Sequence, residues 1–258
     1  MLLSTDAAML LDPVLMAKRA GFPNLDDWQK DVLREMPRRL LLNCSRQVGK
    51  SLVAALLAVH QAIYEPGSLA VVVAVAQRQA METVRTCHDI YVALGRPVPA
   101  ESENKLSLEL ENKSRILSIP STEATIRGLS KVRLLVLDEA SRIPDALYGA
   151  VLPFIAISNG RLALLSSPDG RRGFFFDAYQ HREEWFYKEI PATACSRWKA
   201  ADLAEMRRKT GEYFFAQEME CAFNDATTGA FRSDDIDAAV QEEKNPWNLT
   251  TYAHSWNK

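Results

Sequence analysis

The segment LLLNCSRQVGKS at residues 40–51 most constrains what this chain can fold into. It begins as an apolar run, ends in Gly49-Lys50-Ser51 and leads into a stretch rich in alanine and leucine. A strand, a tight loop and a helix in this order are typical of a phosphate-binding P-loop. In such a loop, backbone N–H groups point at phosphate oxygens, the lysine reaches the β- and γ-phosphates and the hydroxyl binds Mg²⁺.

Cys44 departs from this pattern, because the usual P-loop has its first glycine there. We predict that the backbone at Cys44 is not forced into a glycine-only conformation, so that a small side chain suffices. Arg46 could reach the γ-phosphate or turn to Glu139, or it is an ordinary surface arginine on a loop. The predicted nucleotide-binding residues of the loop are Ser45, Arg46, Gln47, Val48, Gly49, Lys50 and Ser51.

Two acidic residues follow a later apolar run at residues 134–137. We predict that Asp138 holds the Mg²⁺ shell together with Ser51, and that Glu139 polarises the water that attacks the γ-phosphate. The alternative is a strand that ends in two solvated acids. Because the acids follow Lys50 with strands between them, two parts of one mechanism occur in a workable order, which favours the catalytic interpretation.

Further polar residues flank these motifs. Gln29 precedes the P-loop strand and can offer a donor and an acceptor to an adenine edge, with Phe22 stacking on the base. An exposed glutamine beside a core phenylalanine is the alternative. Ser167, in Ser166-Ser167-Pro168, ends another strand, where it would sense the phosphate state or simply form a turn.

Three arginine positions are candidates for contacts with phosphate. Arg127 and Arg142 lie on either side of the strand that ends in Asp138, and either could act as an arginine finger, in cis or from a neighbouring subunit. A solvated arginine is the alternative in both cases. The Arg171-Arg172 pair could touch a polyanion or lie on the surface.

Composition excludes several classes of protein. The net charge of −2 and pI near 6.1 argue against coating nucleic acid through bulk charge. The four cysteines are too widely spaced for metal-binding pairs, so we predict reduced thiols, a cytosolic setting and no zinc. The N-terminal residues lack the pattern of a signal peptide, and no apolar run reaches the roughly 18 residues of a membrane span.

The distribution of apolar runs predicts an α/β fold. Five runs are expected to be buried strands, separated by helical stretches, which favours a mainly parallel sheet covered on both faces. Residues 104–111 are expected to form a hairpin with 115–119. We predict an ATPase core at 1–169, a smaller lid subdomain at 170–225 and a linker at 226–258. The five predicted strands cover residues 40–43, 69–76, 115–119, 133–137 and 161–166.

Taken together, the motifs resemble the ATPase domain of the terminase large subunit of tailed bacteriophages. The resemblance rests on Trp28-Gln29, on the P-loop segment, on Leu137-Asp138-Glu139-Ala140 and on Ser166-Ser167-Pro168. It covers most of residues 20–225, because the family's pattern at the end of the lid also has counterparts here. Those counterparts are Phe214, Phe215, Gln217, Glu218 and Phe223.

The resemblance implies a P-loop NTPase of the additional-strand, RecA-like (ASCE) type that uses ATP and Mg²⁺ to push double-stranded DNA into an empty capsid. It implies a homo-oligomeric ring on the capsid portal, a small terminase subunit as partner, and the host cytoplasm as location without a membrane. Arg127 would be the finger acting on a neighbouring subunit, and Ser167 would link hydrolysis to lid movement. Asn257 stands where the family's nuclease domain would have a metal-binding aspartate, so no nuclease activity is expected.

Three other functions are alternatives to a packaging ATPase. A helicase or repair translocase would need a second RecA-like domain, for which 258 residues leave no room. A nucleotide-binding switch for guanine would normally have an Asn-Lys-x-Asp element, and the sequence Asn112-Lys113-Ser114-Arg115 lacks the aspartate. An inactive structural domain would not need the set formed by Lys50, Ser51, Asp138 and Glu139.

Overall fold

The computed structural model describes residues 5–121, 129 and 131–224. Helices and strands alternate along most of this part of the chain. The helices are α1 Thr5–Leu11, α2 Pro13–Arg19, α3 Asp27–Glu35, α4 Lys50–Tyr64, α5 Gln77–Ala93, α6 Asp145–Ser158, α7 Gly173–Gln180, α8 Ala200–Thr210 and α9 Glu212–Met219. The strands are β1 Arg39–Cys44, β2 Leu69–Ala74, β3 Ala100–Glu103, β4 Ser107–Leu110, β5 Arg115–Pro120, β6 Val132–Asp138, β7 Arg161–Ser166 and β8 Phe186–Ile190.

The strands form one sheet in the order β3-β4-β5-β2-β6-β7-β1-β8. All neighbouring pairs from β5 to β8 are parallel, whereas β3, β4 and β5 pair antiparallel with one another in sequence. The predicted mainly parallel α/β fold is therefore confirmed, and so is the hairpin of β4 with β5. β7 lies between β1 and β6. It is the additional strand that the sequence resemblance implies.

The sheet is buried on both faces because its central strands are apolar at nearly every position. In β1, Leu40 and Leu42 pack in the apolar cluster that includes α4, and Leu41 packs in the cluster on the opposite face. All six residues of β2 are buried. Strands without a polar face cannot tolerate solvent on either side, so helices cover both. Polar chemistry is thereby restricted to the strand ends.

Local signals determine where the helix begins that carries Lys50, the lysine predicted to bind phosphate. Gly49 has φ 91°, a left-handed conformation that favours glycine, and α4 begins at the next residue. Almost the whole length of α4 is buried, including the polar side chain of Gln61 at 1% exposure. Packing on both the sheet and α5 therefore fixes the helix whose first turn contains Lys50 and Ser51.

Two strands of the sheet lie outside the segments that the sequence predicts as strands. Phe186–Ile190 has an aromatic and charged sequence and was assigned to the predicted lid, but it pairs with β1 as the edge strand of the main sheet. Ala100–Glu103 is a short strand at the opposite edge, with mostly exposed residues. Edge strands bury less apolar surface than central ones, so their sequences carry a weaker pattern.

The division into core, lid and linker stays a prediction. Part of the segment predicted as a lid does have an apolar cluster of its own, built between α8 and α9. Leu203, Phe215 and Met219 form most of this cluster, with Ala192 and Trp198 beside them. The predicted linker lies outside the described residues. Within the described residues, every helix is too short or too polar to cross a membrane.

We expect Gly160→Ala to lower the free energy of unfolding by about 1–3 kcal/mol, because an added Cβ overpacks a fixed backbone. That Cβ would lie 2.5 Å from the carbonyl oxygen of Val132, at the junction between α6 and β7. Gly149→Ala is the matched control. It lies inside α6 with nothing within 4 Å of its added Cβ, so alanine should raise stability by about 0.5–1 kcal/mol. Urea unfolding measures both, and equal effects would contradict the packing argument.

Candidate functional site

A cleft of about 610 Å³ opens at the carboxyl ends of β1, β2 and β6. The P-loop and the first turn of α4 form one wall, and the start of α5 and the turn after β6 form the other. The cleft is lined by Arg46, Gln47, Gly49, Lys50, Ser51, Leu52, Val75, Ala76, Gln79, Glu139 and Arg142. The carboxyl edge of an open parallel sheet is the usual place for a ligand site, and here it collects both sequence motifs.

The loop backbone is anchored at its start. Cys44 is the last residue of β1 and is fully buried. Its backbone is that of a strand, so the prediction that glycine is not required there is confirmed. The next two N–H groups donate to backbone carbonyls, Ser45 to Ile190 at 2.9 Å and Arg46 to Glu218 at 3.0 Å. The loop is thus tied to β8 and to the end of α9.

Lys50 forms an ion pair with Glu139 across the cleft, with 2.8 Å between Nζ and Oε1. Burial lowers the pKa of Lys50, but attraction to Glu139 and Asp138 and the hydrogen bond to Glu139 outweigh it, so the pKa is raised overall. Lys50 therefore stays charged. Glu139 has φ 57°, a left-handed conformation that turns the chain sharply after β6.

Asp138 is fully buried at the end of β6 and contacts the first turn of α4. Ser51 Oγ donates to its Oδ2 at 2.9 Å, and Gln79 Nε2 lies 3.4 Å from the same oxygen. Burial raises the pKa of Asp138 despite the opposing charge of Lys50. A buried carboxylate next to a hydroxyl is a donor set that suits Mg²⁺, which is usually held by one or two protein groups plus phosphate oxygens.

Arg46 does not point to Glu139 but forms a two-pronged contact with Glu218. Its Nε donates to Oε2 at 2.6 Å and its Nη2 donates to Oε1 at 3.0 Å. Arg142 Nη2 donates to the same Oε1 at 3.2 Å, and Ser167 Oγ donates to Oε2 at 3.1 Å. Burial raises the pKa of Glu218, but hydrogen bonds and attraction from Arg46, Ser167 and Arg142 lower it overall.

The two serines at the end of β7, Ser166 and Ser167, are buried and are not among the residues that line the cleft. Ser166 Oγ lies 2.7 Å from Ser141 Oγ, and Ser141 Oγ also donates to the carbonyl of Ser167 at 2.8 Å. These bonds join the end of β7 to the 3₁₀ turn after Glu139. Ser167 thus contacts Glu218 and the turn that carries Glu139, and its role as a phosphate sensor stays a prediction.

Gln29 is buried at 1% exposure, so the alternative of an exposed glutamine is wrong. Its Oε1 accepts from the N–H of Asp26 at 2.9 Å, and its Nε2 lies 3.4 Å from the carbonyl oxygen of Gly49. Each end of the amide already has a backbone partner. Recognition of adenine by Gln29 stays a prediction, and Phe22 packs against the core beneath.

Of the remaining predicted arginines, only Arg142 is among the described residues that line the cleft. Arg127 lies outside the described residues, as does the segment 250–257. Arg142 lies in the cleft and contacts Glu139 as well as Glu218. Arg171 donates to the carbonyl of Phe223 at 3.3 Å, and Arg172 pairs with Asp169 at 3.8 Å.

The structure places at the site several residues to which no sequence motif points. Gln79, Ser141 and Arg197 belong to segments without a recognisable motif, and only the fold brings them near the loop. Glu218 was noted only as part of the resemblance at the end of the lid. Its spacing to an apolar stripe on α9 is the one sequence signal that could have marked it as buried.

Comparison with solved structures identifies the fold. The large terminase ATPase domain of Thermus phage P74-26 aligns with a TM-score of 0.72 at 18% identity, covering 80% of this chain and 96% of that domain. The large terminase of thermophilic bacteriophage D6E in complex with ADP aligns with a TM-score of 0.63 at 10% identity, covering 77% and 53% of the two chains. The bacteriophage HK97 large terminase aligns with a TM-score of 0.61 at 17% identity, covering 76% and 50%.

These likenesses confirm the resemblance at the level of the fold. No protein-family model matches the sequence. The chain spans about half the length of the D6E and HK97 proteins, whereas it spans nearly all of the P74-26 domain. The chain therefore has the fold of the phage large terminase ATPase domain.

We expect Glu218→Gln to lower the free energy of unfolding by about 1–2 kcal/mol at pH 7, because it removes a buried charge held by two arginines. The folded-state pKa of Glu218 is lowered from its ordinary value of 4.5. This contribution is therefore fully present above pH 4.5 and is lost as the pH falls through the folded-state pKa. Urea unfolding at pH 7 and pH 3 tests this.

Glu220→Gln is the matched control for this experiment. Glu220 is an exposed glutamate in the same region, paired with Arg207, and such surface pairs contribute about 0–1 kcal/mol. A deficit of Glu218→Gln that persists unchanged at pH 3 would contradict the electrostatic explanation.

Proposed function

We propose that this chain is the ATP-hydrolysing motor domain of a viral terminase large subunit that translocates double-stranded DNA into a procapsid. The observation that carries the proposal is the pair of contacts across one cleft, from Lys50 to Glu139 and from Ser51 to Asp138. A P-loop lysine and hydroxyl facing two consecutive acids is the arrangement that phosphoryl transfer requires. The shared fold with large terminase ATPase domains supports the choice of motor.

ATP binding requires Lys50 to exchange one partner for another. Its ammonium is held by Glu139, and the β- and γ-phosphates would compete for the same charge. Once Lys50 turns to phosphate, the Glu139 carboxylate is free to accept a hydrogen bond from the attacking water. The exchange links nucleotide binding to the freeing of the general base.

Asp138 and Ser51 are the groups that would hold Mg²⁺. Bound there, Mg²⁺ would help to neutralise the negative charge of the ATP phosphates. Asp138 is fully buried and receives the Ser51 hydroxyl, so its carboxylate is held in one place. Ser51 would release this hydrogen bond and turn its oxygen to the ion.

Arginine completes the charge balance of the transition state. Arg142 already lies in the cleft of the same subunit. We propose Arg127 as a finger that acts on a neighbouring subunit of a homo-oligomeric ring, so that hydrolysis is fast only where subunits meet. Arg46, Glu218 and Ser167 would carry the change in the site to the segment predicted as a lid.

The biological setting belongs to the same proposal. The motor would form its ring on the capsid portal in the host cytoplasm, with a small terminase subunit and double-stranded DNA as partners and no membrane. ATP hydrolysis measured with and without portal and DNA tests this setting, with stimulation by both expected.

We expect Lys50→Ala and Glu139→Gln to fail at different steps. Lys50→Ala should weaken ATP binding and abolish hydrolysis, because it removes the cation for the β- and γ-phosphates. Glu139→Gln should bind ATP at least as tightly as the wild type, since Lys50 loses its competing acid, but hydrolyse it about 10²–10⁴ times more slowly. Fluorescent-nucleotide binding and phosphate release measure the two steps.

Lys113→Ala is the matched control, because Lys113 is an exposed lysine paired with Glu101. It should behave as the wild type in both assays. Wild-type turnover in Lys50→Ala would overturn the proposed function.

We also expect ATP turnover per subunit to rise with protein concentration, because a trans arginine reaches the site only when subunits associate. Turnover measured from dilute to concentrated protein, alongside light scattering, tests this expectation. Constant turnover over a range in which the scattering shows association would contradict a trans finger.

A further inference from the structure

Two consecutive carbonyl groups of the P-loop are held from behind by side chains that lie outside the loop. Arg197 Nη2 donates to the carbonyl oxygen of Val48 at 2.6 Å, and Gln29 Nε2 lies 3.4 Å from the carbonyl oxygen of Gly49. Arg197 comes from the segment between β8 and α8, and Gln29 comes from α3. The last turn of the loop is therefore braced by two distant parts of the chain.

Asp26 orders both of these side chains. Its Oδ2 lies 3.2 Å from Arg197 Nη2, its Oδ1 accepts from Ser196 Oγ at 3.1 Å, and its N–H donates to Gln29 Oε1 at 2.9 Å. The Asp26 side chain is only 10% exposed, whereas that of Arg197 is 49% exposed. The carboxylate thus fixes the guanidinium in the one orientation that reaches Val48.

Because each peptide group is planar, holding a carbonyl group of the loop also fixes the direction of the N–H group in the same peptide. A trans peptide is planar, and its C=O and N–H point in opposite directions. The carbonyl of Val48 belongs to the same peptide as the N–H of Gly49, so holding one behind the loop aims the other away from Arg197. The same argument links the Gly49 carbonyl, near Gln29, to the N–H of Lys50. Phosphate cradles are built from N–H groups at these positions.

The space around Gly49 shows how tight the brace is. A Cβ added to Gly49 would lie 2.7 Å from Gln29 Nε2 and 3.4 Å from Arg197 Nη2. Glycine is therefore favoured by the left-handed φ of 91°, and any larger residue would also displace the amide of Gln29.

We propose that Arg197 is a positioning residue for nucleotide binding, acting through the Val48 carbonyl to aim the Gly49 N–H at phosphate. This inference rests on the proposed ATP site. Phosphate bound to the Gly49 N–H polarises the shared peptide and strengthens the bond from Arg197 to Val48. By linkage, nucleotide binding in turn stabilises the segment that leads from β8 into α8. Arg197 thus connects the state of the P-loop to the helices predicted as a lid.

The test compares Arg197→Met with Arg197→Lys in the full chain. Methionine keeps an aliphatic stem but has no donors, so the dissociation constant for ATP and the KM should rise about 10-fold, as for loss of one charge-assisted hydrogen bond. The kcat should change less than about 2-fold, since no group at the γ-phosphate is touched. Lysine restores a charged donor and should recover part of the affinity.

Arg208→Met is the matched control, because Arg208 is an exposed arginine on α8. It should bind ATP as the wild type does. Thermal unfolding without nucleotide should leave Arg197→Met close to the wild type, while the shift in melting temperature produced by ADP should shrink. If Arg197 had a purely structural role, Arg197→Met would lower the melting temperature without nucleotide and leave the ADP-induced shift unchanged.

The affinities of the variants for ATP distinguish failure of this inference from failure of the proposed function. Equal affinities for Arg197→Met and Arg208→Met, with Lys50→Ala still inactive, would overturn this inference and leave the proposed function standing. A wild-type protein that binds no ATP would overturn both. Should Arg197→Met fail to fold, Asp26→Asn keeps Arg197 and the shape of its partner, and a wild-type affinity in that variant would overturn the inference.

Discussion

The burial of a parallel sheet on both faces is the constraint on which the rest of this structure depends. The central strands have apolar side chains toward both helical layers, so no charged group can lie along them without losing its hydration. Polar groups first become possible where the strands end. Asp138 marks that boundary, since it is fully buried and burial raises its pKa. The site lies at one end of the strands because the core leaves no room for polar groups along their middle.

Basic and acidic side chains alternate along this edge of the sheet, so that their charges balance. Glu139 lies between Lys50 and Arg142, and Glu218 lies between Arg142 and Arg46. Each carboxylate thus has two cationic neighbours, and Arg142 is shared between both acids. The row of five charges runs from Lys50 in the first turn of α4, through the turn after β6 and Glu218 of α9, to Arg46 in the P-loop. Removing Glu139 or Glu218 would take the carboxylate partner from the cation at that end, Lys50 or Arg46, whereas removing Arg142 would leave each acid with one cation.

Local patterns allowed much of the fold to be predicted, and the failures share one physical cause. The apolar runs of β1, β2, β6 and β7 and the Gly49-Lys50-Ser51 turn are signals within a few residues, so the sequence shows them directly. β8 is an edge strand whose identity depends on pairing with β1. Glu218 and Arg197 reach the loop from far along the chain. Their roles arise from tertiary contacts, which no local periodicity encodes.

The row of charges also gives a route by which the proposed change of partner at Lys50 would affect α9. In the proposed ATP-bound state Lys50 turns from Glu139 to phosphate, so Glu139 would keep only Arg142 as a cationic neighbour and the attraction between these two would strengthen. Arg142 would then attract the Glu218 carboxylate less strongly. Arg46 and Ser167 would become the main partners of that carboxylate. The backbone bond from Arg46 N–H to the Glu218 carbonyl keeps the loop and α9 in register during this shift. By the proposed mechanism, phosphate binding at Lys50 would thus change the electrostatic environment of α9, which lies outside the P-loop.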